Sequence, residues 1–138
     1  MKRSSAEIKA ILSAAAGTHV SFYMADEWYW CPTREAVEAQ LKATWIDQYR
    51  YIPGASDCDK FAALLRAWMI QERIRAIAKK QVPASEYFGW SFGEAWMRSP
   101  AHAINAAVLD TEEVMFIEPQ TDGIWNYAPK NGLYFCIM

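Results

Sequence analysis

The sequence has no run of about eighteen apolar residues, the length a membrane-crossing helix needs, so no membrane partner is expected. It also has no excess of basic charge: fourteen Lys and Arg stand against sixteen Asp and Glu, a formal net charge of −2. Neutralising nucleic-acid phosphates needs concentrated Lys and Arg. Here only Arg73, Arg75, Lys79 and Lys80 come close together, and they suit the solvated face and basic last turn of a helix. Nucleic acid is therefore not an expected partner. Cysteine is sparse. Cys31, Cys58 and Cys136 are odd in number and widely spaced, which fits neither a disulfide framework nor a CxxC-type zinc site. Free thiols and a reducing compartment follow, with no metal. The opening MKRSSAEIKAILSAAAG is basic at its start, but Glu7 and Lys9 interrupt it before any long apolar region, so no signal peptide is read and a cytoplasmic location is expected. Repeats and low-complexity linkers are lacking too. The 138 residues are most simply a single domain, 1–138, long enough to bury about two-thirds of the unfolded surface.

What the chain has in quantity is aromatic: seven Trp, seven Tyr and six Phe. Ser4 and Glu7 form an S-x-x-E capping box ahead of Ile8, Ile11 and Leu12, which predicts a first helix from about Ser5 to Ala16 stopped by Gly17. His19 to Ala25 reads as a short strand, and Asp26 to Pro32 as an aromatic connector. Thr33 is a good N-cap for a helix to about Trp45, with Val37, Leu41 and Trp45 on its inner face. After a loop punctuated by Pro53 and Gly54, the longest helix starts at Asp57-Cys58-Asp59. It runs to about Lys80, with Phe61, Leu64, Leu65 and Trp68 at core spacing. One or two strands are expected within Tyr87 to Trp96, and closing strands at Ile124 to Tyr127 and Leu133 to Ile137 around a turn at residues 129–132.

The stretch Ala101 to Thr121 reads as a β-hairpin. Its arms are His102 to Leu109 and Val114 to Glu118, and Asp110-Thr111-Glu112-Glu113 supplies the turn. Alternation puts His102, Ile104, Ala106 and Val108 on one face, with Val114, Phe116 and Glu118 on the matching face of the second arm. His102 then stands opposite Glu118 if the loop is centred on Asp110, or opposite Gln120 if it is centred on Thr111. Cys58, at a helix N-terminus, sits where unpaired N–H groups and the helix dipole favour thiolate. The flanking Asp57 and Asp59 oppose that. If the helix packs on a sheet containing the hairpin, Cys58 gains a histidine and a carboxylate orienter, the groups needed for thiolate attack on an acyl carbon. The sulfur should then lie within about 4 Å of a His102 ring nitrogen.

The order SDCDKFA, GEAW, HAIN and FIEPQT, spanning Asp57 to about Trp125, resembles the papain-like cysteine-peptidase group. It is most similar to the small type found in phage-related proteins and in the C-terminal domain of a fungal galactose-binding agglutinin. The resemblance implies an α+β papain-like domain, in which N-terminal helices and a central cysteine-bearing helix pack on an antiparallel sheet from the C-terminal half. It implies Cys58 as nucleophile, His102 as general base and later acid, and Glu118 as orienter, with Gln120 the runner-up. Papain-like enzymes place an oxyanion-holding Gln a few residues before the nucleophile. Here the nearest, Gln48, is ten residues upstream; with Tyr49 and Tyr51 it is the candidate donor beside the Cys58 N–H. Likeness to the agglutinin's domain brings in calcium as a minor option. Otherwise no cofactor is expected, since no D-x-D-x-D loop appears.

Trp45, Trp68 and Trp96 fall on apolar-periodic faces and are expected in the core. Trp28, Tyr29, Trp30, Trp90 and Trp125 lie in connectors, where aromatics can line a substrate groove. The function expected on these grounds is a cysteine hydrolase, peptidase or amidase, acting on a peptide or protein substrate through an acyl-enzyme. Two other classes use the same features: a phage-type binding or structural protein that keeps the fold without turnover, and a transglutaminase-like acyl transferase. Spacing sets neither the substrate nor the oligomeric state.

Overall fold

A computed structural model describes residues 1–17, 19–98, 101–126 and 132–138. The chain is mixed α+β, with three α-helices and a six-stranded sheet among the described residues. The first helix, α1 (Ser5–Ala16), has the expected bounds: Ser4 and Glu7 close the capping box, and Gly17 ends the helix in the left-handed region at φ 62°. Glycine adopts that conformation without a Cβ penalty. Before α1 the chain forms β1 (Lys2–Ser4), which pairs antiparallel with β3 (Trp28–Trp30) as a separate ribbon. The segment read as an aromatic connector is thus partly a strand. Lys2 Nζ lies 4.2 Å from the Trp28 ring centroid and 4.4 Å from that of Phe88, cation–π contacts on one side of the ribbon.

Thr33 caps α2 (Arg34–Ala43) by accepting from the Ala36 N–H. Val37 and Leu41 are buried as expected, but the helix ends at Thr44, so Trp45 leaves the helical face and is 68% exposed. Its expected place in the core is corrected. A 3-10 turn at Ile46–Gln48 follows, and then α3 (Cys58–Ala78) with Asp57 as N-cap. Phe61, Leu65 and Met69 are fully buried on α3, each contributing roughly 1.5–3 kcal/mol of apolar burial. Leu64, also expected inside, is 46% exposed, and Trp68 is partly buried.

The sheet runs β2-β8-β4-β5-β6-β7, with β2 at Ser21–Tyr23, β4 at Phe92–Met97, β5 at His102–Val108, β6 at Val114–Glu118, β7 at Gly123–Trp125 and β8 at Leu133–Ile137. Pairing is antiparallel throughout the C-terminal part, but β2 joins β8 in parallel. The expectation of an antiparallel sheet drawn from the C-terminal half is corrected on that strand. Each face of the sheet carries its own core. Ile104, Ala106, Val108 and Phe116 pack with Ile8 and Leu12 of α1, while Ala107, Met115 and Ile117 pack with Phe61 and Leu65 of α3 and Val37 of α2. Residues 127–131, which include the end of one expected closing strand and most of the turn after it, lie outside the described residues.

Candidate functional site

The hairpin register sets the site. Asn105 pairs with Ile117 and Val108 with Val114, which centres the loop on Thr111 and puts His102 level with Gln120. The imidazole nevertheless reaches diagonally, and His102 Nε2 lies 2.5 Å from Glu118 Oε2. Long side chains span such diagonals across antiparallel strands. With Nε2–H donating to the carboxylate, Nδ1 is left as the acceptor of a neutral ring. The second Glu118 oxygen accepts from the Gln120 main-chain N–H at 3.3 Å. Both side chains are about four-fifths buried, at 24% and 20% exposure, so the pair is partly shielded from water yet open on one side.

Three contacts fix the direction of α3 along the sheet. Asn105 Nδ2 donates to Ala62 O at 2.9 Å, Arg66 Nη1 lies 3.7 Å from Glu94 Oε1, and Arg73 Nε donates to Phe88 O at 3.0 Å. Glu94 pairs with Asn105 across β4 and β5, and Phe88 precedes β4. Passing from Ala62 to Arg73, the helix therefore runs toward the start of β4. Its own start, Cys58, is at the other end, where Met97 pairs with His102. Cys58 and the His102–Glu118 pair share one end of the sheet. They come to it from different layers, because alternation puts His102 on the α1 face and α3 covers the other. Among the described residues no hydrogen bond joins Cys58 to His102.

Cys58 is partly exposed, whereas Cys31 and Cys136 are buried. Burial pushes the Cys31 thiol up, against a hydrogen bond with Ser91, and takes Cys136 to about 12, which keeps both protonated and inert near neutrality. Sequence reasoning missed Lys60. Its Nζ lies 2.9 Å from Asp57 Oδ1 and 2.9 Å from Asp59 Oδ2, and the signal was there in the i, i+3 spacing of D-C-D-K. Hydrogen bonding with Asp59 and then Lys60 holds the Asp57 carboxyl well below its usual range, and bonds to Asp57 and Asp59 raise Lys60 in turn. Lys60 thereby offsets one of the two negative charges flanking Cys58.

Gln48 ends the 3-10 turn and is exposed. Four residues after Glu118, in the β6–β7 connection, stands Asp122. Asp122 is left-handed at φ 55°, and its Oδ1 is buried with no hydrogen-bond partner. Burial, and next the Asp47 charge, push its carboxyl up to about 6. The unfolded chain has the ordinary value of 3.8. The folded state therefore holds a proton that the unfolded state has released, and the stability this gives at acid pH is lost as pH rises from about 4 through about 6. Asp122→Asn should flatten the urea-unfolding free energy between pH 4.5 and 7 and leave the variant more stable than the parent at pH 7. Parallel curves for the two proteins would count against it.

The expected groove aromatics gather in part: Trp30 is bridged to Trp90, and Tyr29 and Trp90 line one cavity. Trp28 and Trp30 lie on the ribbon, Trp125 packs against the α1-side core, and Trp90 lines a cavity beside α3. Trp45 and Trp68, expected inside, instead line a shallow apolar groove of about 640 Å³ with Tyr49 and Leu64. Among the described residues no group of three or more His, Cys, Asp or Glu is placed to hold a metal ion, and no helix is long and apolar enough to cross a membrane.

No protein-family model and no curated protein sequence matches the chain. Solved structures do match. One is described as a PSL1a-E64 complex, at 23% identity and a TM-score of 0.80 over 99% of this chain and 50% of that one. Another is Polyporus squamosus lectin bound to the human-type influenza-binding epitope Neu5Aca2-6Galb1-4GlcNAc, at 22% identity and a TM-score of 0.78 over 99% of this chain and 49% of that one. The likeness is one of fold, and the chain spans about half the length of these structures. It corrects the resemblance to papain-like cysteine peptidases, because the matching structures are lectin complexes. The hydrolase and catalytic-triad assignments are corrected with it, and a peptide or protein substrate has no support. The motifs behind that resemblance are short, and some of their residues have structural tasks: the Asp57 carboxylate accepts from the Gly54 N–H and Asn105 ties α3 to the sheet.

Proposed function

We propose that the chain is a non-hydrolytic binding domain of a lectin-type protein, engaging its ligand at the end of the sheet that holds His102, Glu118 and the first turn of α3. The observation that carries this reading is the 2.5 Å contact between His102 Nε2 and Glu118 Oε2, a shielded polar pair that packing alone does not require. In this reading Cys58, partly exposed at the start of α3, stands at the edge of the ligand site, and His102 Nδ1 accepts a hydrogen bond from the ligand. Glu118 holds the ring in the tautomer that can accept it, and Gln120 supports Glu118. Gln48 supplies an amide for the ligand's polar groups.

Two probes test the site: the compound of the first matching complex and the trisaccharide of the second. The first should be retained by the chain, and His102→Ala should lose it. Alkylation by iodoacetamide at pH 7, mapped by mass spectrometry, should modify Cys58 at least about tenfold faster than Cys31 or Cys136. The trisaccharide should shift the His102 imidazole resonances. Retention of neither probe, equal labelling of the three cysteines, or release of product in molar excess over protein would each overturn the proposal.

A further inference from the structure

A second place in the molecule is built for a ligand and lies away from the His102 end. Between α3, the segment before β4 and the end of β8 is a cavity of about 290 Å³. Its α3 wall is the stripe Arg66, Met69, Ile70, Arg73, Ile74 and Ile77, residues at i, i+3, i+4, i+7, i+8 and i+11 that share one helix face. Two arginines seven residues apart thus sit on an otherwise apolar stripe. The facing walls are aromatic, from Tyr29, Tyr87, Phe88 and Trp90.

Neither guanidinium is satisfied by a close acid. Arg73 is 5% exposed, and its hydrogen bonds go to the main-chain oxygens of Phe88, at 3.0 Å, and Glu86. Among the described residues it makes no ion pair; the Glu86 charge acts on it only at longer range, and burial lowers its pKa. Arg66 has a buried Nε without a hydrogen-bond partner. Its only ion-pair partner among the described residues is Glu94 at 3.7 Å, whose carboxyl burial pushes up toward the neutral form. The remaining acid on the lining is Asp26, exposed at the rim. Burying a cation without a matched counter-charge costs several kcal/mol, and a planar fork with free N–H groups is shaped for a carboxylate.

We infer that this cavity binds a small apolar molecule ending in a carboxylate, its apolar body between Trp90 and the aromatic wall and its carboxylate on the free guanidinium N–H groups of Arg66 and Arg73. The volume is at the small end of the range for ligand pockets, which limits the occupant to one ring or a short chain.

The test uses the full chain with 4-phenylbutyrate and, as its uncharged match, 4-phenylbutyramide. The acid should bind saturably, shifting the Trp90 indole resonance, and the amide should bind at least about tenfold more weakly. Arg66→Met should remove the preference, so that acid and amide bind with similar affinity. If that variant fails to fold by circular dichroism, Arg66→Lys, which keeps the charge and loses the fork, should reduce the preference several-fold. The Cys58 alkylation rate should be indifferent to the acid, which separates this cavity from the site at the other end of α3. Equal affinity for acid and amide, no saturable binding of the acid at millimolar concentration, or a preference that survives the Arg66 variants overturns the inference.

Discussion

Replacing Gly93 by alanine should leave no folded protein. A Cβ built on Gly93 falls 1.9 Å from the main-chain oxygen of Ile137, 2.8 Å from its carbonyl carbon and 2.8 Å from Met138 Sδ. The nearest atoms belong to backbone, which cannot rotate out of the way. Gly93 lies in β4, between β5 and β8, so relief would need β8 to leave the sheet and would uncover Cys136 and the core around it. The cost should exceed about 4–5 kcal/mol, on the scale of the roughly 5–15 kcal/mol that a whole domain holds. Gly123→Ala is the control. Its Cβ meets the Thr121 hydroxyl at 3.2 Å, and a side chain at the surface can turn aside, so the loss should stay within about 1 kcal/mol. Soluble yield, far-ultraviolet dichroism and thermal unfolding compare the two; a Gly93→Ala protein melting within a few degrees of the parent would refute the argument.

The next largest effect is expected at Asn105, which is 0% exposed. Its amide donates both hydrogens, one across to Ala62 O of α3 at 2.9 Å and one within the sheet to Gly93 O at 3.1 Å. One side chain thus ties α3 to β5 and β4 together. Asn105→Ala removes both bonds and opens a small void, for about 2–3 kcal/mol. Asn105→Asp should be worse, more than about 4 kcal/mol, because it aims acceptor oxygens at two carbonyls and buries a charge with no cation bonded to that side chain. Denaturant unfolding of the two variants should rank them in that order. Asp tolerated as well as Ala would mean the amide is not the clamp. Since Ala62 is one turn beyond Cys58, the surviving Asn105→Ala protein should also show altered alkylation of Cys58.

Asn105 marks where sequence reading succeeds and where it stops. Alternation along the hairpin correctly sorted Ile104, Ala106 and Val108 from Ala107 and Met115, because one-residue periodicity survives any topology. The caps at Ser4, Gly17 and Thr33 were legible for the same reason: they depend on neighbours a few residues away. Asn105 itself, read as part of a recognition motif, gave no local hint that its amide would bridge a helix and a strand. Trp45 was misplaced because periodicity alone ran on past Thr44, where the backbone had already turned to extended geometry at ψ 164°. The β1–β3 ribbon was missed since each strand has three residues and its partner is more than twenty residues away. At the candidate site, His102 and Glu118 were found together, but the sequence left their register open. The structure centres the loop on Thr111, with Glu112 left-handed at φ 69°, and the pair meets diagonally instead of face to face. Lys60, the cation that offsets one of the two charges flanking Cys58, was visible and went unused.

The parallel pairing of β2 with β8 has a consequence in time. Ser21 stands beside Phe135 and Tyr23 beside Ile137, partners more than a hundred residues apart, and β8 also covers the free side of β4. On a ribosome, β2 emerges early and can find no place in the sheet until residues 133–137 have been made. Until then β4 presents an unpaired edge, the kind of surface that invites wrong partners during synthesis. Local helices can form at once, whereas sheet closure waits on the last strand and carries the loop-closure entropy of nearly the entire chain. A ribosome-stalled nascent chain ending before Leu133 should therefore remain protease-sensitive around β2, and acquire protection there only when Leu133–Ile137 has cleared the exit tunnel.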